Sequence, residues 1–339
     1  MFSIGNKVSK YRRRALALVG IGFGLAVVLS GCSAAPTTPA ADDAPVKIRV
    51  IEANLHDPTI LGAEAGDFLD IWSECSPAVD VKVNAGEKVA EAVAANSADI
   101  GIASPNRVIG AISQGLDASI IGASTPVWDQ FLIVSSDNPA KSIEDLEGSA
   151  FGISSFGSAG HYATEKMART EGWSADEFEI VTMGSIDGIK AGLTSGTVQA
   201  FLWSAQTAFG LELAGDAKVL GNVRELVGEN AMNVLFASNK ILEEHPAAVK
   251  SFAECYYKAV DAIQSDEKLA TDLFVGDWDI DPRVAARVIA DELPLLSTDG
   301  VLTDGMLEGM LEATHFTIES SKDVTFDDVK AMYKPWADL

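Results

Sequence analysis

Apolar and polar positions beyond residue 45 follow two different periods along the chain. Short runs with strand periodicity and many branched residues, such as Val46–Ala53 (VKIRVIEA), are followed by stretches with helical spacing. The first such succession predicts strands at 46–53, 79–83, 100–103 and 119–123 and helices at 58–72, 87–95 and 105–114. Strands that alternate with helices in this way predict a mostly parallel sheet covered by helices.

A second succession of the same kind begins near Gln130. Its predicted strands are 131–134, 150–153, 179–181, 200–203 and 218–220, and its helices are 161–170, 186–194 and 205–213. At a shift of 100 residues, Ser104 falls on Ser204, and the glycines at 110 and 115 fall on those at 210 and 215. Because the element order coincides as well, we predict two similar α/β lobes that face one another.

The remainder of the chain is mostly helical. Helices are predicted at 246–264, 268–274, 282–295, 304–314 and 326–333, after a strand at 232–237. We assign this block to the first lobe, so that lobe 1 comprises 46–125 and 228–339 and lobe 2 comprises 126–227. The chain then crosses between the lobes twice, near 124–129 and near 221–232, and two short connections permit hinge closure around a ligand.

The first 31 residues have the pattern of a signal peptide. A basic start is followed by an apolar run of 15 residues, Ala15–Leu29, which is short for a membrane-spanning helix. The sequence Leu29–Cys32 (LSGC) resembles a bacterial lipobox, in which Cys32 is acylated and becomes the mature N-terminus. An uncleaved anchor is the alternative, and both the general secretory and the twin-arginine routes stay open. Residues 32–45 are small, polar and rich in proline, which is typical of a flexible tether.

Charge and cysteine content narrow the function further. The 339 residues contain 25 Lys and Arg against 49 Asp and Glu, a formal charge of −24. Residues 1–31 carry five basic and no acidic residues, so the mature chain carries 20 basic against 49 acidic, or −29. Such a chain repels phosphate backbones, and we expect no nucleic-acid partner. Cys75 and Cys255 remain after export as an even pair, either disulfide-bonded or as two buried thiols.

Polar residues gather where predicted strands end and helices begin, which is where open α/β sheets bind ligands. The stretch 150–163 is the most informative, because its glycines and serines precede a helix whose first N–H groups offer donors for a carboxylate or sulfonate without any arginine. The predicted ligand-binding residues are Asn54, His56, Ser104, Asn106, Trp128, Ser155, Gly157, Ser158, Ala159, Gly160, His161, Asp187, Trp203 and Ser204.

Several of these residues have a second interpretation. Trp128 and Trp203 are either clamps for an apolar part of the ligand or core residues. Asp129 and Asp187 either pair with a ligand amine or are solvated caps. The four histidines are not spaced as a metal site, so we expect no metal and no cofactor.

Four strings resemble the solute-binding proteins of ATP-binding-cassette importers, in the group for sulfonates, taurine, nitrate and pyrimidine precursors. They occur in family order and are Ala98–Pro105 (ADIGIASP), Ser142–Gly148 (SIEDLEG), Gly157–His161 (GSAGH) and Asn239–Pro246 (NKILEEHP). The resemblance implies a two-lobed α/β fold of the periplasmic-binding-protein type II class. It places the anionic head group against Ser158, Ala159, Gly160 and His161, faced by Ser104 and Asn106. Gln199-Ala200 and Ala205 depart from the family pattern and leave the ligand open.

The resemblance also implies partners and a location. We expect a monomeric lipoprotein on the outer face of the cell membrane, held by lipid on Cys32, that passes a small solute to permease subunits. A pyrimidine or other heteroaromatic ligand, or delivery to a membrane sensor, is the alternative. The family's pyrimidine synthase carries a cysteine-rich motif, whereas cysteine occurs here only at 32, 75 and 255. Because a Gly-x-Ser-x-Gly elbow is absent from the sequence as well, we do not expect an enzyme.

Overall fold

In the computed structural model, which describes residues 44–86 and 88–339, ten strands form two five-stranded sheets. The first sheet has the order β2-β1-β3-β10-β4. Its β1 is parallel to β2 and β3, whereas β10 is antiparallel to β3 and β4. The strands of this sheet are β1 (Val46–Glu52), β2 (Val79–Ala85), β3 (Ile100–Ala103), β4 (Ala118–Thr125) and β10 (Asn233–Ser238).

The second sheet repeats this arrangement with the order β7-β6-β8-β5-β9. Its β6 is parallel to β7 and β8, and β5 is antiparallel to β8 and β9. Its strands are β5 (Phe131–Ser135), β6 (Ala150–Ile153), β7 (Glu179–Thr182), β8 (Ala200–Trp203) and β9 (Ala217–Asn222). The predicted α/β fold with two similar lobes is confirmed, although each sheet includes an antiparallel strand.

Helices cover the two sheets. They are α1 (Gly62–Phe68), α2 (Val89–Ala94), α3 (Pro105–Ser113), α4 (Ala159–Thr170), α5 (Ile186–Ser195), α6 (Ala205–Ala214), α7 (Arg224–Val227), α8 (Asn239–Glu244), α9 (Pro246–Ser265), α10 (Glu267–Thr271), α11 (Pro282–Asp291), α12 (Asp304–Thr317) and α13 (Phe326–Met332). The helix predicted at 58–72 is divided into a 3-10 turn at Pro58–Ile60, α1 and a second 3-10 turn at Ile71–Glu74. The break before the second turn lies at Asp70, whose φ of 54° is left-handed.

The antiparallel strands of the two sheets are those that follow the crossings. The chain leaves the first sheet after Thr125 and enters the second at Phe131, the first residue of β5. It leaves the second sheet after Asn222 and returns at Asn233, the first residue of β10. A strand that pairs parallel to its predecessor in a sheet needs a long crossover connection. A strand that enters from the other lobe has no such connection and can pair antiparallel. The crossings therefore account for the antiparallel strand of each sheet.

The C-terminal helices contact both lobes. On α11, the Arg287 guanidinium lies 3.6 Å from the centre of the Phe209 ring of α6 and donates to Glu212 Oε2 at 2.8 Å. On α12, Glu312 Oε1 accepts from Lys166 Nζ of α4 at 2.7 Å, while α12 also packs on α3. The sequence assigned this block to lobe 1. The structure adds contacts between the block and the helices α4 and α6 of the second lobe.

The long helix α9 packs against the first sheet's outer elements. The Trp72 and Phe252 rings stack at 5.4 Å, and the Tyr256 ring occupies the space where a side chain at Gly62 would lie. Cys75 and Cys255 are joined in a disulfide whose Cα atoms are 6.1 Å apart. Of the two alternatives for this cysteine pair, the structure has the disulfide.

The predicted signal peptide, Cys32 and nearly all of the predicted tether lie outside the described residues. Within the described part of the chain, no helix is both long enough and apolar enough to cross a membrane.

Loss of the disulfide is expected to destabilise the protein. The two cysteines are 180 residues apart, and cross-links over long loops typically contribute about 2–4 kcal/mol, largely by restricting the unfolded chain. We expect a Cys75→Ala/Cys255→Ala variant to melt at a lower temperature than the parent. Dithiothreitol should lower the melting temperature of the parent and leave that of the variant unchanged. An equal response of both proteins to the reductant would contradict this account.

Candidate ligand-binding site

A cavity of about 90 Å³ lies between the two sheets, and the N-terminal residues of three helices line it. Ser104 precedes α3, Ser158 precedes α4 and Ser204 precedes α6. Each serine has extended backbone angles and starts its helix, as an N-cap residue does. The remaining lining residues are Ala53, Asn54, Asp57, Thr59, Ile60, Ile102, Ala103, Arg107, Gln130, Ser154, Ala159, Gly160, Trp203, Met232 and Asn233.

The first turn of α4 points backbone donors at this cavity. Ser158 Oγ accepts from the His161 N–H at 3.2 Å, and the Ser158 carbonyl accepts from the Tyr162 N–H at 3.1 Å. Ala159 and Gly160 occupy the first two helical positions, whose N–H groups have no acceptor within the helix, and both residues line the cavity. The α4 terminus can therefore hold an anion.

The turn before α4 is held against the first lobe. Ser104 Oγ donates to the Gly157 carbonyl at 3.2 Å. Gly157 has a left-handed φ of 76°, and a Cβ placed on it would lie 2.7 Å from Ile318 Cδ1 and 3.3 Å from Arg107 Cγ. The backbone conformation and the narrow gap both favour glycine at this position.

His161 supports the turn rather than lining the cavity. Its ring is buried, and Nδ1 accepts from the Gly157 N–H at 3.0 Å, so Nε2 carries the proton. Burial of the ring is the larger cause, and the positive charge of Arg107 the smaller cause, of the lowering of the His161 pKa to about 4. The ring is therefore neutral at pH 7. It orders the backbone that carries Ala159 and Gly160, whereas the resemblance implied that His161 contacts the head group.

Arg107 is the main residue that sequence reasoning missed at this site. It lies in the first turn of α3, three residues after Ser104, and its guanidinium donates to Ser155 Oγ of the second lobe. It also lines the cavity, so a cation stands beside the α4 terminus. The sequence shows that Arg107 lies in the first turn of this helix, three positions after Ser104, but it does not show the contact with Ser155, which is 48 residues away.

The opposite part of the lining offers acceptors. Asp57 Oδ1 accepts from the Thr59 N–H at 3.0 Å, and burial raises the pKa of Asp57. Gln130 is 6% exposed, and its Oε1 has no hydrogen-bond partner within the described residues. Buried acceptors of this kind are normally paired. A ligand N–H or O–H group would satisfy Gln130 Oε1, whereas Asp57 Oδ1 already accepts from both the N–H and the hydroxyl of Thr59.

Burial disfavours the charged form of three glutamates that lie near Asp57. Glu52 and Glu292 are fully buried, and desolvation raises the pKa of each well above the usual range. Burial also raises the pKa of Glu64 to about 7. Because burial disfavours the charged form of each of these carboxyls, they repel a bound anion less than the formal charge of the chain suggests.

Comparison with known proteins identifies the family. The sequence profile of the NMT1/THI5-like proteins matches residues 78–269, which is more than half of the 339 residues. The chain belongs to the NMT1/THI5-like family. No curated protein matches its sequence significantly.

Solved structures share the fold at low sequence identity. The alkanesulfonate-binding protein SsuA from Xanthomonas axonopodis pv. citri, bound to MOPS, has a TM-score of 0.73 at 17% identity, over 86% of this chain and 99% of that one. The periplasmic aliphatic sulphonate binding protein SsuA from Escherichia coli has a TM-score of 0.71 at 17% identity, over 86% and 93%. The desulfurization enzyme DSZB has a TM-score of 0.58 at 14% identity, over 85% and 96%. The chain thus has the periplasmic-binding-protein fold, which also occurs in an enzyme.

Seven of the predicted binding residues line the cavity of this NMT1/THI5-like chain. They are Asn54, Ser104, Ser158, Ala159, Gly160, Trp203 and Ser204. Three further predicted residues contact the lining from behind. Ser155 accepts from Arg107, Gly157 accepts from Ser104, and His161 accepts from the Gly157 N–H.

Four predicted residues lie elsewhere. Asn106 is buried and donates to Thr317 Oγ1 at 2.8 Å, and Trp128 is buried in the core against the Tyr162 ring at 4.8 Å. His56 stacks on Trp278 at 5.4 Å outside the cavity, and Asp187 is exposed in the first turn of α5.

Asp129, the other candidate for an amine contact, is also outside the cavity. It is buried and accepts from Arg224 Nη2 at 2.7 Å and from Asn222. Asp57 is the carboxylate that lines the cavity instead.

The buried imidazole predicts an acid-sensitive contribution to stability. An unfolded histidine titrates near 6.5 and the folded His161 near 4, so the unfolded chain binds the proton first. Relative to a His161→Asn variant, which retains an acceptor and does not titrate, the parent should lose on the order of 3 kcal/mol as the pH falls from about 6.5 to 4. Urea unfolding of both proteins across this range measures the difference. A constant difference would show that the fold does not lower the pKa of His161.

Substitution of Gly157 tests the contact between the lobes. Gly148 has a similar left-handed φ of 80° but open space around its Cα, so Gly148→Ala reports the backbone strain alone, about 1–2 kcal/mol. Gly157→Ala adds a displacement of Ile318 and Arg107, and we expect a larger loss of unfolding free energy. Equal losses in chemical denaturation would mean that the gap at Gly157 is not tight.

Proposed function

We propose that this protein is an extracytoplasmic solute-binding lipoprotein that captures a small organic anion of the sulfonate type between its lobes. It then delivers the solute to the permease of an ATP-binding-cassette importer. The single observation that carries the proposal is the convergence of the α4 N-terminus and Arg107 on one cavity between the lobes. The fold and the sulfonate-binding proteins that share it support the same class of ligand.

The donors at the cavity are sufficient for useful affinity. Hydrogen bonds to a charged group contribute roughly 1.5–3 kcal/mol each, and a helix N-terminus contributes about 0.3–1 kcal/mol. The Ala159 and Gly160 N–H groups and the Arg107 guanidinium together approach the roughly 8 kcal/mol of micromolar binding. Screening by salt acts over about 10 Å, so the distant acidic surface opposes this local attraction only weakly.

The acceptors on the other side favour a zwitterionic ligand within this class. Asp57 and the Oε1 atom of Gln130 would take an amine or hydroxyl of the solute. The amine contact that the sequence suggested for Asp129 or Asp187 therefore belongs to Asp57. A heteroaromatic solute stacked on Trp203 is the second candidate, because Trp203 lines the same cavity.

Delivery follows from opening and closing of the two lobes. An anchored protein stays near its permease, because a lipid on Cys32 and a short tether keep its local concentration high. Delivery to a membrane sensor would use the same capture step. Binding rather than catalysis is favoured here, because Cys75 and Cys255 are consumed in a disulfide away from the cavity lining.

A panel of pure solutes tests the proposal on the mature protein. Ethanesulfonate, taurine, propionate and a pyrimidine are compared by calorimetry and by tryptophan fluorescence, to which Trp203 in the cavity lining contributes. We expect the sulfonates to bind most tightly. Preference for taurine over ethanesulfonate would support the Asp57 contact. If no compound of the panel binds, the small-anion function is refuted.

Variants of Arg107 locate the bound anion. Arg107→Ala should weaken sulfonate binding at least about tenfold, through loss of a charged hydrogen bond, and Arg107→Lys should weaken it less. Arg283→Ala is the control, since Arg283 is exposed and pairs with Asp281 on the surface. Unchanged affinity in Arg107→Ala would place the anion elsewhere.

A further inference from the structure

A second, larger cavity adjoins the first on the other side of Arg107. Its volume is about 770 Å³, and it shares Ala103, Arg107 and Ser154 with the lining of the first cavity. Elements of both lobes enclose it: α2 and α3 on one side and the turn at Ser154–Phe156 on the other. The two spaces are therefore neighbouring parts of one interlobe cleft.

The walls of this groove are mainly apolar. Val89, Ala90 and Ala94 of α2 face it with Ala111 of α3, and Ile318 closes part of its length. Its charged members are Lys88, Glu91 and Arg107. Small alanine side chains leave a smooth surface on which an extended apolar chain can lie.

Phe156 is the most distinctive residue of the groove. It is 63% exposed, more than any other large hydrophobic residue in the described ranges 44–86 and 88–339. Its ring packs edge-on against the His161 ring at 5.1 Å, and His161 is itself fixed by the Gly157 N–H. An exposed aromatic ring that is held in place beside a ligand cavity is typical of a binding surface.

The volumes separate two parts of a ligand. The first cavity, at about 90 Å³, has room for a head group and little more. Two neighbouring spaces share lining residues with it and can take a substituent: the groove beyond Arg107 and a third cavity of about 520 Å³ beyond Trp203. The third cavity presents His56, Lys190, Gln206 and Thr207 among its walls, so an apolar substituent loses more hydration in the groove than there.

We infer that the natural ligand carries an apolar alkyl or aryl substituent that extends from its anionic group past Arg107 into this groove, where Phe156 determines chain-length specificity. The inference rests on the proposed function, because it assumes the anion at α4 and Arg107. It adds the place of the substituent, the groove beyond Arg107, and the residue that limits its length, Phe156.

A homologous series of straight-chain sulfonates tests the inference. Ethane-, butane-, hexane- and octanesulfonate are titrated into the mature protein by calorimetry, below their micellar concentrations. We expect affinity to rise about fourfold for each methylene that enters the groove, until the groove is filled.

Phe156→Ala supplies the decisive comparison. This variant should bind ethanesulfonate within about twofold of the parent, and affinity should rise less than about twofold per methylene along the series. Leu55→Ala is the matched control, because Leu55 is 46% exposed and lines the third cavity. The control should retain the slope of the parent. Since Phe156 is exposed, its variant should also retain the melting temperature of the parent.

The outcomes separate the inference from the function on which it rests. Equal affinity for ethane- and octanesulfonate overturns the inference and leaves the function standing. The inference is also overturned if the rise of affinity with chain length is lost in Leu55→Ala and kept in Phe156→Ala, because the substituent then occupies the third cavity. Failure of the whole series to bind, ethanesulfonate included, refutes the proposed sulfonate function and the inference with it.

Discussion

The contact between α3 and the turn before α4 holds the two lobes around the cavity. Ser104 Oγ donates to the Gly157 carbonyl, Arg107 donates to Ser155, and Gly157 leaves room for Arg107 and Ile318 at the same point. The same turn also sets the position of the Ala159 and Gly160 N–H groups. It is held by the hydrogen bond from the Gly157 N–H to His161 Nδ1 and by the Ser158 cap of α4. The donors of the site and this contact between the lobes therefore depend on one short stretch of backbone.

This arrangement explains how a strongly acidic chain can present an anion site. Formal charge counts every carboxyl equally, but Glu52 and Glu292 are buried, and desolvation raises the pKa of each and so disfavours its charged form. The remaining acidic residues are mostly exposed, where water and salt weaken their field. Backbone dipoles and the one guanidinium act at contact distance inside the cavity. The proposed anion site therefore relies on local donors and not on the net charge of the chain.

The sequence predicted the parts that depend on local pattern. The pattern of apolar residues identified nine strands in the two successions, and the returning strand near 232–237 is the tenth. The Ser-Pro step at Ser104 marked the start of α3. The glycines and serines of 150–163 identified the α4 terminus. Periodicity does not show which side chain crosses a cleft, so Arg107 was missed at a position where only the approach of the second lobe gives it a role. Likewise, the pairing of Asp129 with Arg224 joins residues 95 positions apart and has no local signature.

The strength of the contacts across the cavity bears on how the lobes open. The Ser104–Gly157 hydrogen bond is between neutral groups, and such bonds contribute about 0.5–1.5 kcal/mol net, while the Arg107–Ser155 bond involves one charge and contributes about 1.5–3 kcal/mol. The ion pairs of the C-terminal helices with α4 and α6 are partly exposed, and pairs of that kind contribute about 0–1 kcal/mol. Together these amounts are smaller than the roughly 8 kcal/mol of micromolar binding. A ligand that bridges α4 and Arg107 would therefore contribute more to holding the lobes together than these polar contacts do, while the ring contacts of Arg287 with Phe209 and of Phe316 with Tyr162 add to the protein's own share.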